Sequence, residues 1–302
     1  RHYLKSNPEL RPVISCASPS VTRLIQMRFP SLLPHVARVE PPLAIAARVA
    51  RERAAAQHNC APDMVGVYLV ASCVSQIAEV YRPDGLYRHL FDAAVPFSLI
   101  YRAVRARCED LGCSGSEDIE THPGGLLWAL ADGEAMMVAG DGMKTLSVSG
   151  LRNIIDVLDQ LDHHQHDPFD YITLHSGLLG GVGDSLNVKN PFISASRIRE
   201  LVSCEDACCP RDDALFDRYL RGEFAMPLLE PRPLMQMNGD IKGALERIRR
   251  IQQVRNRLPG LDCSACGSPS CFALAEDIVS GEAGMEDCAI HVRNLYGSLP
   301  RH

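Results

Sequence analysis

The chain has 302 residues, 46% of them hydrophobic, and a net charge of −6. That is enough apolar material for two domains with real cores. Without a lysine- or arginine-rich block, nucleic acid is not expected as a main partner; no apolar run is long enough to predict a membrane span.

The first residues lack the charged-then-apolar pattern of a secretory signal. The chain starts at Arg1, as a fragment or processed product would. Val13 and Ile14 open a short strand, and VTRLIQMRF reads as a helix ending before Pro30. PLAIAARVARERAAAQ (42–57) reads as a second helix. Proline stands near its start, with Leu43, Ala46, Val49 and Ala50 on one side and arginines on the other. MVGVYLVAS (64–72) is apolar throughout and of strand length, the pattern of a strand buried on both faces of a parallel sheet. Ser98 is placed to cap LIYRAVRARCEDLG, which Gly112 stops. Residues 113–125 read as a polar loop. Ser149 is placed to cap a helix whose Leu151, Ile154, Ile155, Leu158 and Leu161 share one face. His163, His164 and His166 follow as a turn, expected to meet terminal carbonyls rather than metal. Tyr171 to Leu174 is a short strand, and SGLLGGVGDS is a glycine-rich turn without dinucleotide-loop spacing.

This alternation predicts an α/β fold, a two-lobed layered body with short, mostly parallel sheets and flanking helices. The character changes after about residue 203. Residues 223–238, with Pro227, Pro231 and Pro233, read as a linker between a body at 1–222 and a smaller unit at 239–302. In that unit Asp240 is placed to cap a long helix with Ile241, Leu245, Ile248, Ile251 and Val254 in one stripe, halted at Pro259-Gly260. Arg247, Arg249, Arg250, Arg255 and Arg257 read as its wet face, with docking of an acidic redox partner as the alternative.

The helix leads into Cys263, Cys266, Cys271 and Cys288, spaced C-x2-C-x4-C-x16-C. Gly267 and Pro269 let the backbone turn sharply and bring N–H groups near cluster sulfurs. Iron–sulfur ligation is the first reading, because a zinc ribbon usually presents two C-x2-C knuckles and only one is present. Zinc is the second reading and unligated thiols the third. Asp262, Glu276 and Asp277 are expected to cap or solvate. The other eight of the twelve cysteines are Cys16, Cys60, Cys73, Cys108, Cys113, Cys204, Cys208 and Cys209. They read as buried or free thiols, and a cytoplasmic, reducing, anaerobic setting is expected because it fits the cluster motif better than disulfides do. A metal at Cys204, Cys208 and Cys209 with Cys108 or Cys113 is the less favoured reading.

Two resemblances follow. Through LPG-x-DC-x-x-CG-x-P-x-C-x-x-x-AEDI, residues 257–288 resemble the small four-cysteine module of corrinoid iron–sulfur proteins and of a subunit of membrane-bound ferredoxin-oxidising complexes. The resemblance implies one [4Fe-4S] cluster on a small helical iron–sulfur module. Residues 11–200 resemble the C-terminal region of the [FeFe] hydrogenase large subunit, in the signalling-associated branch that carries the same module. The segments are VISCASPSVTRLIQMRFPSLL, VYLVASCVSQIAEV, GGLLWALADGEA, GLRNIIDVLDQLD and GGVGDSLNVKNPFISASRIREL.

The hydrogenase resemblance implies a hydrogen-activating site whose ligand positions this chain alters. The first cysteine position holds Ser18, beside Ala17 in place of a proton-relaying residue, and Cys16 lies two residues early. Cys73 keeps its ligand position and Glu79 its acid, while Gln76 replaces a lysine. The last two cysteine positions fall on Gly177 and Gly181. A hydroxyl or a glycine supplies no thiolate. The expectation is an electron-transfer or redox-sensing protein working with a redox protein such as a ferredoxin or with a signalling domain. The alternatives are a hydrogenase or hydrogen sensor with atypical ligation, and a structural zinc module.

Overall fold

The computed structural model describes residues 1–82, 87, 89–112, 123–140, 142–163, 169–202, 212–232, 241–263 and 265–292. Cys113, His164, His166, Cys204, Cys208, Cys209, Pro233 and Asp240 lie outside the described residues.

The strands are β1 (Val13–Ile14), β2 (Tyr68–Ala71), β3 (Ala93–Pro96), β4 (Thr145–Ser149) and β5 (Tyr171–His175). The helices of the body are α1 (His2–Ser6), α2 (Pro19–Arg28), α3 (Pro42–Gln57), α4 (Val74–Tyr81), α5 (Phe97–Asp110), α6 (Pro123–Leu127), α7 (Gly133–Val138), α8 (Leu151–His163), α9 (Pro191–Leu201) and α10 (Asp213–Leu220). Two further helices, α11 (Ile241–Arg257) and α12 (Cys271–Ser280), carry the cysteine module.

The strands form two parallel sheets, one ordered β1-β5-β4 and one pairing β2 with β3. Each sheet has its own core, as the predicted two-lobed layered fold requires. Around the first sheet Ile14, Ile25, Phe29, Ile154, Leu158 and Ile172 are packed together. Around the second lie Ala44, Ala47, Leu69, Ala71, Val80, Tyr87 and Phe91. A third small core holds Ile251, Leu258, Cys271, Leu274, Ala275 and Cys288. No described helix is long and apolar enough to cross a membrane.

Several local expectations are corrected. Within 64–72 only Tyr68–Ala71 is strand, and it alternates. Leu69 and Ala71 are buried, while Tyr68 is 65% and Val70 48% exposed. A two-stranded sheet with a core on one face buries every second residue, which an apolar run cannot reveal. Ser98 lies inside α5, whose N-cap position belongs to Pro96; proline's fixed φ already suits a helix start. Gly112 does end that helix with φ +62°. Ser149 closes β4, and the bend into α8 is made by Gly150 at φ +86°. The Gly150 carbonyl accepts the Ile154 N–H, the first hydrogen bond of the helix, so the chain enters α8 through glycine rather than through the expected serine.

In the segment read as a linker, Phe224 is buried and Ala225 bridges antiparallel to Val39. Met226 N–H donates to the Arg38 carbonyl, and Arg232 N–H to that of Gln26. Residues 223–232 are therefore laid along the first lobe on the way to α11. On α11, Ile251 is buried as the stripe predicts, whereas Leu245 is 53% exposed.

Candidate functional site

The cysteine module is built by local turns. Gly267 at φ +84° turns the chain after Cys266. Ser270 then caps α12, its Oγ accepting the Ala273 N–H at 3.1 Å, and Cys271 is the first residue of that helix. Asp262 accepts the Cys271 N–H at 2.6 Å, which meets the expected capping role. Gly281 at φ +79° ends α12 and sends the chain back so that Cys288 returns to Cys271.

Cys263, Cys266, Cys271 and Cys288 line one small hollow with Pro259, Leu261, Leu274 and Ile290. Cys271 and Cys288 are buried, Cys266 is half-buried and Cys263 is exposed. Burial raises the Cys266 pKa, and the neighbouring Cys288 and Cys263 raise it further. Cys271 is raised mainly by burial as well. A bound metal must overcome both effects by holding the thiolates. Apart from Ser270, whose Oγ caps α12, the lining side chains offer sulfur and hydrocarbon, with no carboxylate or imidazole; thiolate donor sets select soft metals and iron–sulfur clusters. The residues present fit such a group. Among the described residues no three His, Cys, Asp or Glu side chains converge to hold a single ion.

The module is fastened to the body by charge and shape. Asp277, expected to cap or solvate, is 5% exposed. It pairs with Arg23 of α2, with Arg82 Nη2 at 3.3 Å, and with Ser268 Oγ at 3.2 Å. A Cβ on Gly267 would stand 3.1 Å from Ser75 Cα and 3.3 Å from Ala78 Cβ, so the cysteine loop rests directly on α4. Two of the arginines serve the module itself. Arg247 donates to Ser280 Oγ at 2.8 Å, and Arg255 sits 5.9 Å from the Phe272 ring centroid.

The second site is a chamber of about 840 Å³ between the two lobes, lined by Ser18, Ser72, Cys73, Gln76, Trp128, His175, Gly181 and Asp184 among others. Ser18 and Cys73 stand at the N-caps of α2 and α4. Of the positions singled out by resemblance, Ser18, Cys73 and Gly181 therefore come together. Gly177 does not join them as a side-chain position. A Cβ there would fall 2.4 Å from Asp184 Oδ1 and 2.7 Å from the Gly180 carbonyl oxygen. At Gly181 the nearest atom would be 3.5 Å away, so that position has room.

Cys16 turns away from this chamber. Its thiol donates to the Val39 carbonyl at 3.1 Å, and burial pushes its pKa up to about 12. It lines a second, mainly apolar cavity of about 680 Å³. Glu79 borders a small cleft with Arg23 and Gln26.

Sequence reasoning missed Asp184, His175, Trp128 and Glu134. Asp184 accepts the Ser72 hydroxyl at 2.6 Å. Gln76 Oε1 accepts the Ser72 N–H at 3.0 Å and so braces the chamber wall. Glu134 is buried and accepts from Ser15 Oγ at 2.7 Å and the Tyr171 hydroxyl at 2.6 Å. Burial lowers the His175 pKa. The acid in GGVGDS was the one visible signal, a polar side chain inside a glycine-rich turn.

Burial pushes the Asp184 pKa up from 3.8 to about 6. The native state thus binds this proton more tightly than the unfolded chain. Its contribution to stability is full below pH 3.8 and is lost as pH rises through about 6. Asp184→Asn is expected to flatten the fall in urea midpoint over that window. An unchanged slope would assign the pH dependence elsewhere.

Helices layered on short parallel sheets in this order resemble the [FeFe]-hydrogenase fold. A structure from stepwise H-cluster assembly in an [FeFe]-hydrogenase aligns with TM-score 0.55 and 13% identity, covering 76% of this chain and 79% of that one. An apo variant of the [FeFe]-hydrogenase HydA1 from Chlamydomonas reinhardtii aligns with TM-score 0.53 and 12% identity, covering 76% and 80%. Residues 1–98 match the family of the iron only hydrogenase large subunit, C-terminal domain. Residues 258–290 match an Fe-S cluster family. One subunit of the Na(+)-translocating ferredoxin:NAD(+) oxidoreductase complex of Acetobacterium woodii is 46% identical over 41 residues, 14% of this chain and 12% of that protein.

Proposed function

We propose that this protein is an iron–sulfur electron-transfer or redox-sensing protein whose four cysteines, Cys263, Cys266, Cys271 and Cys288, hold one [4Fe-4S] cluster. In this reading the hydrogenase-like chamber has lost hydrogen activation. The observation that carries it is the contrast between the two sites. One hollow is lined by four cysteines, while the chamber presents a single thiol, Cys73, among its lining residues. Cys16 is bonded elsewhere, so it does not supply the missing ligand from its present position. A single C-x2-C knuckle, where a zinc ribbon usually presents two, favours a cluster over one zinc ion.

When bound, the cluster supplies outer-sphere one-electron exchange, tuned by burial and by N–H bonds to sulfur. Cys263 is exposed, so one edge of the site lies at the surface, where another protein can exchange electrons. A redox protein such as a ferredoxin, or a signalling domain, is the partner this reading assigns. The body at 1–222, the connection at 223–238 and the module at 239–302 are its working units.

The test is iron and acid-labile sulfide per chain after anaerobic purification. About four of each is expected. About eight or more irons, or infrared bands of bound carbon monoxide and cyanide after co-production with maturation proteins, would return the hydrogenase reading. Zinc without iron would make the module structural.

A further inference from the structure

The two helices that carry Ser18 and Cys73 at their N-caps also carry the cysteine module on their flanks. Arg23 of α2 and Arg82, just past the end of α4, both hold Asp277. Ser75 and Ala78 of α4 receive Gly267, the residue after Cys266, at contact distance. Ser75 is itself buried, and its Oγ stands 3.1 Å from Cys73 Sγ. Cys73 and Gln76 face the chamber. The first turn of α4 is thus a wall shared by both sites, with the cysteine loop on one side and the chamber on the other.

We propose that the cysteine module and the chamber form one redox-linked unit, in which charge entering the chamber beside Cys73 and Gln76 sets the reduction potential of the cluster. This rests on the proposed cluster at Cys263, Cys266, Cys271 and Cys288. Reduction adds one negative charge to the module, and the wall between is packed protein, where salt screens little. A negative charge in the chamber therefore opposes reduction, and a positive one favours it. Linkage makes the effect reciprocal: reduction weakens the chamber's hold on an anion and strengthens its hold on a cation by the same factor. The Arg23–Asp277–Arg82 group is what keeps the two sites at fixed separation.

The test uses the full chain with its cluster loaded, and redox titration followed by electron paramagnetic resonance. Gln76→Lys and Gln76→Glu place opposite charges on the chamber side of α4. The potential should rise with Gln76→Lys and fall with Gln76→Glu relative to the parent. The same pair in an Asp277→Asn background, where the module is unfastened, should differ less. Equal potentials for Lys and Glu in the parent background, with the cluster present, overturn the coupling and leave the proposed function standing. A chain that binds no iron at all overturns both. If Asp277→Asn does not load a cluster, the parent-background pair still decides the matter. A trio that titrates in the order Lys, parent, Glu supports the coupling; any other order overturns it.

Discussion

Cys271→Ser should abolish cluster binding, with iron falling from about four per chain to well below one. Cys271 sits at the start of α12, 8% exposed and packed against Leu258 and Leu274. Serine fills nearly the same space but supplies no soft thiolate. The consequence extends to folding. Among the described residues the module's core cluster holds six buried residues, two of them cysteines of the quartet. A unit this small leans on its metal, and the free energy of metal binding is folding free energy. Trypsin should then cut α11 at Arg247 to Arg257, sites that resist cleavage in the loaded protein. Cys60→Ser, at an exposed cysteine, should change neither readout. Full iron content in Cys271→Ser would remove this cysteine from the site.

Asp277→Ala should be the most destabilising single change at the contact between module and body, by roughly 3–5 kcal/mol. The carboxylate is buried between Arg23 and Arg82, whose side chains are themselves 8% and 12% exposed. Alanine takes from buried Arg23 the carboxylate it is bonded to, and leaves Arg82 to Glu282 at 4.0 Å; a desolvated charge that loses its partner is costly. Asp277→Asn should lose much of the same stability although its shape is conserved, which separates charge from packing. The measurement is the urea midpoint at constant slope. A loss below about 1 kcal/mol, the range of an exposed pair, would mean that water reaches the group. The ion group is then no fastening.

Much of the framework was legible because it is written in short-range patterns. Residues 42–57 are helical at both predicted ends, as a proline start allows, but the buried positions are Ala44, Ala47 and Ala55, while Ala46 and Ala50 of the expected stripe are exposed. The cysteine spacing, with Gly267 between ligands, forecast a turn, and the positive φ there is what glycine makes cheap. Other expectations failed where a neighbour decides. Ser98 and Ser149 have the chemistry of caps, yet Pro96 and Gly150 hold the backbone at those helix starts. The run at 64–72 is apolar, but only the number of strands and the side on which a core lies could show that Tyr68 and Val70 face outward.

At the sites the same division holds. Residue types and spacing alone were sufficient to single out Cys263, Cys266, Cys271 and Cys288, which local turns bring to one hollow. The hydrogenase resemblance, not spacing, implied ligand positions at Ser18, Gly177 and Gly181, and a hydroxyl or a glycine supplies no thiolate in any fold. Only tertiary structure decided that Cys16 faces a different cavity, that Asp184 fills the space beside Gly177, and that Asp277 is clamped rather than solvated. Arg23 lies 254 residues from Asp277 along the chain. A charge's surroundings are set by whichever distant segments pack around it, and no local pattern encodes that company.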